Sequence, residues 1–270
     1  MLKSIELQKN VITVESLALF RPNEKTLARL GGFFTDAGDA IRKLLGNITN
    51  ANVAVAIDGR NFLPLIKKAE YTAISGLRVP FPKEFNADYA TVVDIMAEVN
   101  AAPESLFRDF LKPFGEWVAI TLNDPTKMES INQYVNIDIN RSKIARSHLV
   151  KITKGGSQSE VRYTRAIRRN SDWEKVIDTI NQIAAQNANV TIDDVRAKVK
   201  EIDDLLQVLI GKMNEPSFEF RPSGAFVEKL VGLTYAMAAE IEFYAEYQYL
   251  FGCLVENVRN DVALLTKHLQ

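Results

Sequence analysis

Apolar residues recur in alternating steps of three and four along three long stretches of this chain, and each stretch predicts an amphipathic helix. The first comprises Leu27, Leu30, Phe34, Ala37, Ile41, Leu44 and Ile48. The second comprises Ile192, Val195, Val199, Ile202, Leu206, Leu209 and Met213. The third comprises Ile241, Tyr244, Gln248, Phe251, Val255, Val258, Val262 and Leu265. Such alternation makes a narrow seam rather than a broad apolar face. Gly31, Gly32 and Gly38 weaken the first helix but allow another backbone to approach closely. The third pattern extends upstream through Phe226, Leu230, Leu233 and Met237. A continuous helix of about 40 residues would be about 60 Å long at its rise of about 1.5 Å per residue. It therefore either bends at Gly232 or Gly252 or projects from the body.

Shorter elements fill the intervals. Ile12 and Val14, and the run Asn52–Ile57, predict short strands, the second ending in an Asp58-Gly59 turn. Pro80 and Pro82 require extended chain over Leu77–Phe85. A helix is expected over Ala87–Asn100 and another from Pro103, with Phe107, Phe110, Leu111, Phe114, Trp117 and Val118 on one side and a kink at Pro113. Asp124-Pro125 predicts the cap of a further short helix, with Met128, Ile131 and Tyr134 inward. Ser171 and Glu174 match a capping box, followed by Trp173, Val176, Ile177, Ile180 and Ile183 as a buried face. Thr191 is the expected cap of the second seam helix, and the chain breaks at Asn214-Glu215-Pro216.

Between these helices, His148–Thr153 and Glu160–Ala166 flank a loop rich in Gly and Ser. Val150 and Ile152 alternate on one arm and Val161 and Tyr163 on the other, which predicts a β-hairpin. The resulting fold class is mainly α (α+β): a helical bundle with a long C-terminal helix, short strands and one basic β-hairpin. The expected organisation is a mixed, mostly helical lobe over 1–140, the hairpin over 141–170 and a helical region over 171–270.

Charge sharpens the interest of the hairpin. Between Asn140 and Lys175 there are ten basic and three acidic residues, a balance of +7; the whole chain is at −1, so the rest carries −8. Lys151, Lys154, Arg162, Arg165, Arg168 and Arg169 are the candidate residues for contact with nucleic acid or an acidic partner. The alternative is a solvated edge whose charges oppose aggregation. Tyr163 and Trp173 are too few aromatics for a stacking platform.

Composition narrows the classes without naming an activity. The chain of 270 residues is 47% hydrophobic and 25% charged, as expected of a globular protein with a real core. A lone cysteine, Cys253, excludes an internal disulfide and a cysteine-based zinc site. The first residues lack the pattern of a signal peptide, and no apolar window reaches the length of a membrane span. Glu240, Glu242 and Glu246 interrupt the closest approach, Leu230–Val255. The expectation is a soluble protein, cytoplasmic or incorporated in a particle assembled there.

Candidate chemistry is sparse. The acids of the last helix would need Glu-x-x-His pairs to hold two metals, and neither His148 nor His268 has that spacing. Those acids are instead candidates to meet the basic segment of a neighbouring copy. Asp58 at a strand end reads as a turn residue before a catalytic one. Lys154-Gly155-Gly156-Ser157 lacks the Lys-Ser/Thr order of a phosphate-binding loop. No catalytic residue, metal or cofactor is assigned.

Interaction thus outranks catalysis. The leading expectation is a non-enzymatic structural protein that oligomerises or docks into a larger complex, such as a viral particle. Ile202, Leu206, Leu209, Phe251, Val255 and Val258 are the candidate helix-interface residues, on the premise that the seams exceed what one bundle needs. The alternative is a nucleic-acid-binding protein using the basic hairpin, and the third is an enzyme with a scattered site.

Overall fold

A computed structural model describes residues 56–100, 105–133, 139–153, 159–213, 215 and 224–270. Helices make up most of these residues. In chain order they are α1 (Phe62–Lys68), α2 (Tyr71–Ile74), α3 (Tyr89–Val99), α4 (Lys112–Asn123), α5 (Ile139–Thr153), α6 (Tyr163–Ala166), α7 (Asp172–Asn187), α8 (Ile192–Met213) and α9 (Gly224–Leu269). A π-helical stretch, Leu106–Leu111, leads into α4, and a 3₁₀ stretch, Pro125–Gln133, follows it. Two strands, β1 (Arg78–Pro80) and β2 (Glu160–Arg162), complete the fold. The predicted elements over Ile12–Val14, Leu27–Ile48 and most of Asn52–Ile57 lie outside the described residues.

The chain forms two compact units. The described residues of the first are 110–133, 197–213, 215 and 224–239; those of the second are 56–100, 105–109, 139–153, 159–196 and 240–270. In the first unit, Phe110 stacks on Phe114 at 5.8 Å and Phe114 meets Trp117 at 5.5 Å. Trp117 buries its ring and donates its indole N–H to the Met128 carbonyl at 3.1 Å, which ties α4 to the 3₁₀ stretch. Asp124 accepts from both the N–H and the hydroxyl of Thr126, as its predicted capping role requires. Gly115 lets α8 approach: a Cβ there would meet the Lys198 and Ile202 side chains at 3.3 and 3.4 Å. Pro113 falls in the first turn of α4, at the change from π- to α-helix.

The second unit holds the larger core. The predicted inward face of α7 is buried throughout: Trp173, Val176, Ile177, Ile180 and Ile183. So is every seam position of α9 from Ile241 to Leu265, including Gln248. The α7 face and, from the α9 seam, Phe251, Val255, Val258, Val262 and Leu265 join α1, α3, the strands and Leu149 and Ile152 of α5 in one apolar cluster. Asn181 of α7 donates to the Ile57 carbonyl and accepts from the Ile57 N–H, so its side-chain amide pairs with extended chain as a strand neighbour would.

The predicted hairpin takes another form. Glu160–Arg162 is a strand, but its antiparallel partner is β1, with Val79 opposite Val161. His148–Thr153 is the end of α5. Val150 and Ile152 would share a face in a strand; in the helix they separate, Val150 being 46% exposed and Ile152 1%. Leu149 and Ile152, three apart, supply the buried face instead. Tyr163 begins a helical turn rather than continuing β2.

The capping box at Ser171 is also absent. Ser171 already has helical backbone angles and its side chain makes no cap bond. The carbonyls of Arg169 and Asn170 take the Asp172 and Trp173 N–H groups, and Glu174 pairs with Lys67 at 2.9 Å. Thr191 does cap α8: its hydroxyl accepts from the Asp194 N–H, and the Asp194 carboxylate accepts from the Thr191 N–H. The final helix runs through both Gly232 and Gly252 without interruption.

Replacing a large buried side chain leaves a cavity that the core closes only in part. Phe251→Ala should therefore lower unfolding stability by about 3–5 kcal/mol and Ile202→Ala by about 2–4 kcal/mol. Urea denaturation followed by circular dichroism checks both values.

Candidate functional site

The basic segment forms α5, β2, α6 and the start of α7, all within the second unit. Its charges meet acids brought from elsewhere in the sequence. Arg168 on the turn after α6 bonds the Asp88 carboxylate at 2.8 Å. Lys175 on α7 pairs with Asp94 at 2.7 Å, His148 on α5 lies 3.0 Å from Glu98, and Arg146 lies 3.8 Å from Glu246 on α9. The segment's own Glu160 pairs with Arg78 of β1. The +7 stretch therefore folds against acids of α3 and α9 in its own chain. Glu246, a candidate contact for a neighbouring copy, has its cation within the same unit.

Asp88 organises this region. Its carboxylate is almost fully buried, and it caps α3 by accepting from the Thr91 N–H and hydroxyl, each at 3.1 Å. Arg168 supplies the countercharge a buried carboxylate needs. Arg165 bonds the neighbouring Asn86 carbonyl, while the Asn86 N–H reaches the Ile152 carbonyl at the end of α5. Arg165 and Arg168 thus fasten α6 to the loop before α3.

The remaining predicted cations differ. Arg162 and Arg169 are exposed and have no ion pair among the described residues, and the same holds for Lys151. Lys154 lies outside the described residues. On the outward side of α5, Ile144 is 59% exposed and Val150 46%. Ser147 and Lys151 share that side, giving a strip of apolar and cationic groups.

The seam residues lie inside the chain. Ile202 and Leu209 on α8, and Phe251, Val255 and Val258 on α9, are each at most 5% exposed; the Leu206 side chain lies outside the described set. Asp58 is a turn residue: it accepts from the Arg60 backbone and guanidinium, and those hydrogen bonds hold its carboxyl down to about 2. Cys253 is half-buried, and burial pushes its thiol up to about 11, far from a reactive thiolate. No cluster of three metal-ligating side chains occurs among the described residues.

The second unit also buries a polar network that the seam pattern did not reveal. Trp173 donates to the Tyr163 hydroxyl at 2.9 Å, and that hydroxyl donates to Asn170 at 2.8 Å. The Asn170 amide then donates to the Ile66 and Ala69 carbonyls. Tyr247 bonds Asn100 at 2.6 Å, and Asn100 bonds Gln186. Burial raises the Tyr163 and Tyr247 hydroxyls above their ordinary range. Asp261 on α9 is fully buried beside Tyr89. Its spacing offered a signal: Tyr247, Leu254 and Asp261 recur every seven residues on a second buried stripe of α9.

If Arg168 is structural, Arg168→Gln should destabilise the fold by about 1–2 kcal/mol, because it leaves the buried Asp88 without its cation although Thr91 still bonds it. Arg162→Gln and Arg169→Gln should leave the unfolding midpoint unchanged. Chemical denaturation of the three variants separates the two groups of arginines.

In comparisons with known proteins, no family model, no curated protein and no solved structure matches the chain.

Proposed function

We propose that this chain is a non-enzymatic structural protein that assembles with copies of itself, and that the outward face of α5 is its docking surface. The observation that carries the reading is the exposure of Ile144 and Val150 on a helix whose charged side chains are all basic. Apolar side chains in a cationic frame suit a partner with an acidic rim. A second copy suits this, because the chain outside the basic segment carries −8. The buried seam of α9 and buried Val195, Val199, Ile202 and Leu209 of α8 support the same choice, since they leave less apolar surface on those helices for a partner. Residence in the cytoplasm, or in a particle assembled there, belongs to this reading.

Light scattering across a size-exclusion peak tests it. The expected mass is a multiple of 30.3 kDa that declines as salt rises. Val150→Glu, and separately Ile144→Glu, should return the protein to monomer with its circular dichroism unchanged. A monomer at every concentration overturns the reading, as does a multimer that both variants leave intact.

A second reading, nucleic-acid binding, is favoured by exposed Arg162, Arg169 and Lys151, which have no acidic partner among the described residues. It predicts binding that weakens steeply with salt and is lost when all three are changed to Gln. Equal affinity of the triple variant for a DNA duplex contradicts it.

A further inference from the structure

Asp261 is 0% exposed, and no cation pairs with it among the described residues. One carboxyl oxygen, Oδ2, lies 2.8 Å from the Tyr89 hydroxyl of α3; the other, Oδ1, has no hydrogen-bond partner among the described residues. The Tyr89 hydroxyl also lies 3.4 Å from the Pro80 carbonyl at the end of β1. Among the described residues, Tyr163 of α6 is a second titratable group that senses Asp261. From α7, Trp173 packs on the Tyr89 ring, with its N–H committed to Tyr163. Among the described residues Asp261 therefore bonds one phenol, Tyr89, which itself meets the Pro80 carbonyl and the Trp173 ring, and a second phenol, Tyr163, senses its charge. None of these compensates a negative charge as a cation would.

We propose that Asp261 and Tyr89 form a proton-dependent latch that holds α9 against α3 and the end of β1. In the neutral state the Asp261 carboxyl donates to the Tyr89 oxygen, and the Tyr89 hydrogen turns to the Pro80 carbonyl. Every hydrogen then has an acceptor. On loss of the proton to solvent, Tyr89 must donate to the carboxylate, Pro80 loses its donor, and Oδ1 holds charge in an apolar interior. The latch loosens as the charge forms.

The direction with pH follows from the same geometry. Burial pushes the Asp261 carboxyl up to about 7, against an ordinary value of 3.8, with the Tyr89 bond opposing the rise. Between those values the folded chain keeps a proton that the unfolded chain has lost, so stability falls as pH rises through that window and levels off above it. The full effect approaches a thousandfold, roughly, in the unfolding equilibrium.

The test compares wild type with Asp261→Asn by urea denaturation from about pH 4 to about pH 8, because other carboxylates contribute equally to both curves. The wild type should lose stability relative to the variant across this range. Parallel curves overturn the latch. Should the variant fail to fold, carbon-13 NMR of aspartate carboxyls in the wild type decides. A single carboxyl titrating near 7 supports the latch, and uniformly ordinary aspartates overturn it.

Discussion

The second unit is governed by a demand that its aromatic residues impose. Trp173, Tyr89, Tyr163 and Tyr247 are each 0% exposed, and each carries an N–H or O–H into the interior with its ring. A buried donor without an acceptor costs as much as a lost hydrogen bond, so each ring fixes the position of a polar partner. Asn170 and Asn100 answer two of these demands and in doing so tie together distant parts of the chain. Asn170 holds the end of α1, and Asn100 joins α3 to α7 and α9. Asp261 answers Tyr89, but with a carboxyl that is compatible with its surroundings only when neutral. Apolar burial drives the unit together, and these bonds select one arrangement of it.

Charge follows a similar rule. In the sequence the basic stretch looks like a separate module facing outward. In the fold its cations meet Asp88, Asp94 and Glu246, and its His148 lies beside Glu98, all distant in sequence. The most buried of these, Asp88, makes Arg168 part of the architecture. Among the described residues, the cations that remain for an external partner are Lys151, Arg162 and Arg169, beside the exposed apolar residues of α5. A cation already serving a buried carboxylate in its own chain is poorly available to a phosphate.

The legible parts of the fold were those where one periodicity dominates. Val195, Val199, Ile202 and Leu209 of the α8 seam, the seam of α9 and the inward face of α7 are buried as their spacing requires. Extended chain around Pro80 followed from proline geometry alone. The predicted hairpin gives way to a helix because Val150 and Ile152 fit a period of two as well as the flank of a helix, and only Leu149 and Ile152 together distinguish them. Its true partner, β1, lies about 80 residues upstream, a pairing that no local pattern encodes. The Ser171 cap failed because a preceding turn had already met the helix's free N–H groups. Of the candidate surface, the positions of the cations were legible but their partners were not, since ion pairing depends on tertiary contact. Asp261 was not legible because it lies on a second buried stripe of α9, with Tyr247 and Leu254, beside the apolar seam.

The central claim is that the seam of α9 is closed by its own chain, so that any assembly uses the outward surface instead. Hydrogen–deuterium exchange across a dilution series measures this directly. The amides of residues 241–265 should remain the most protected at every concentration, with no loss of protection on dilution. Protection that disappears as the protein is diluted would mean that another subunit covers the seam, and would contradict the account.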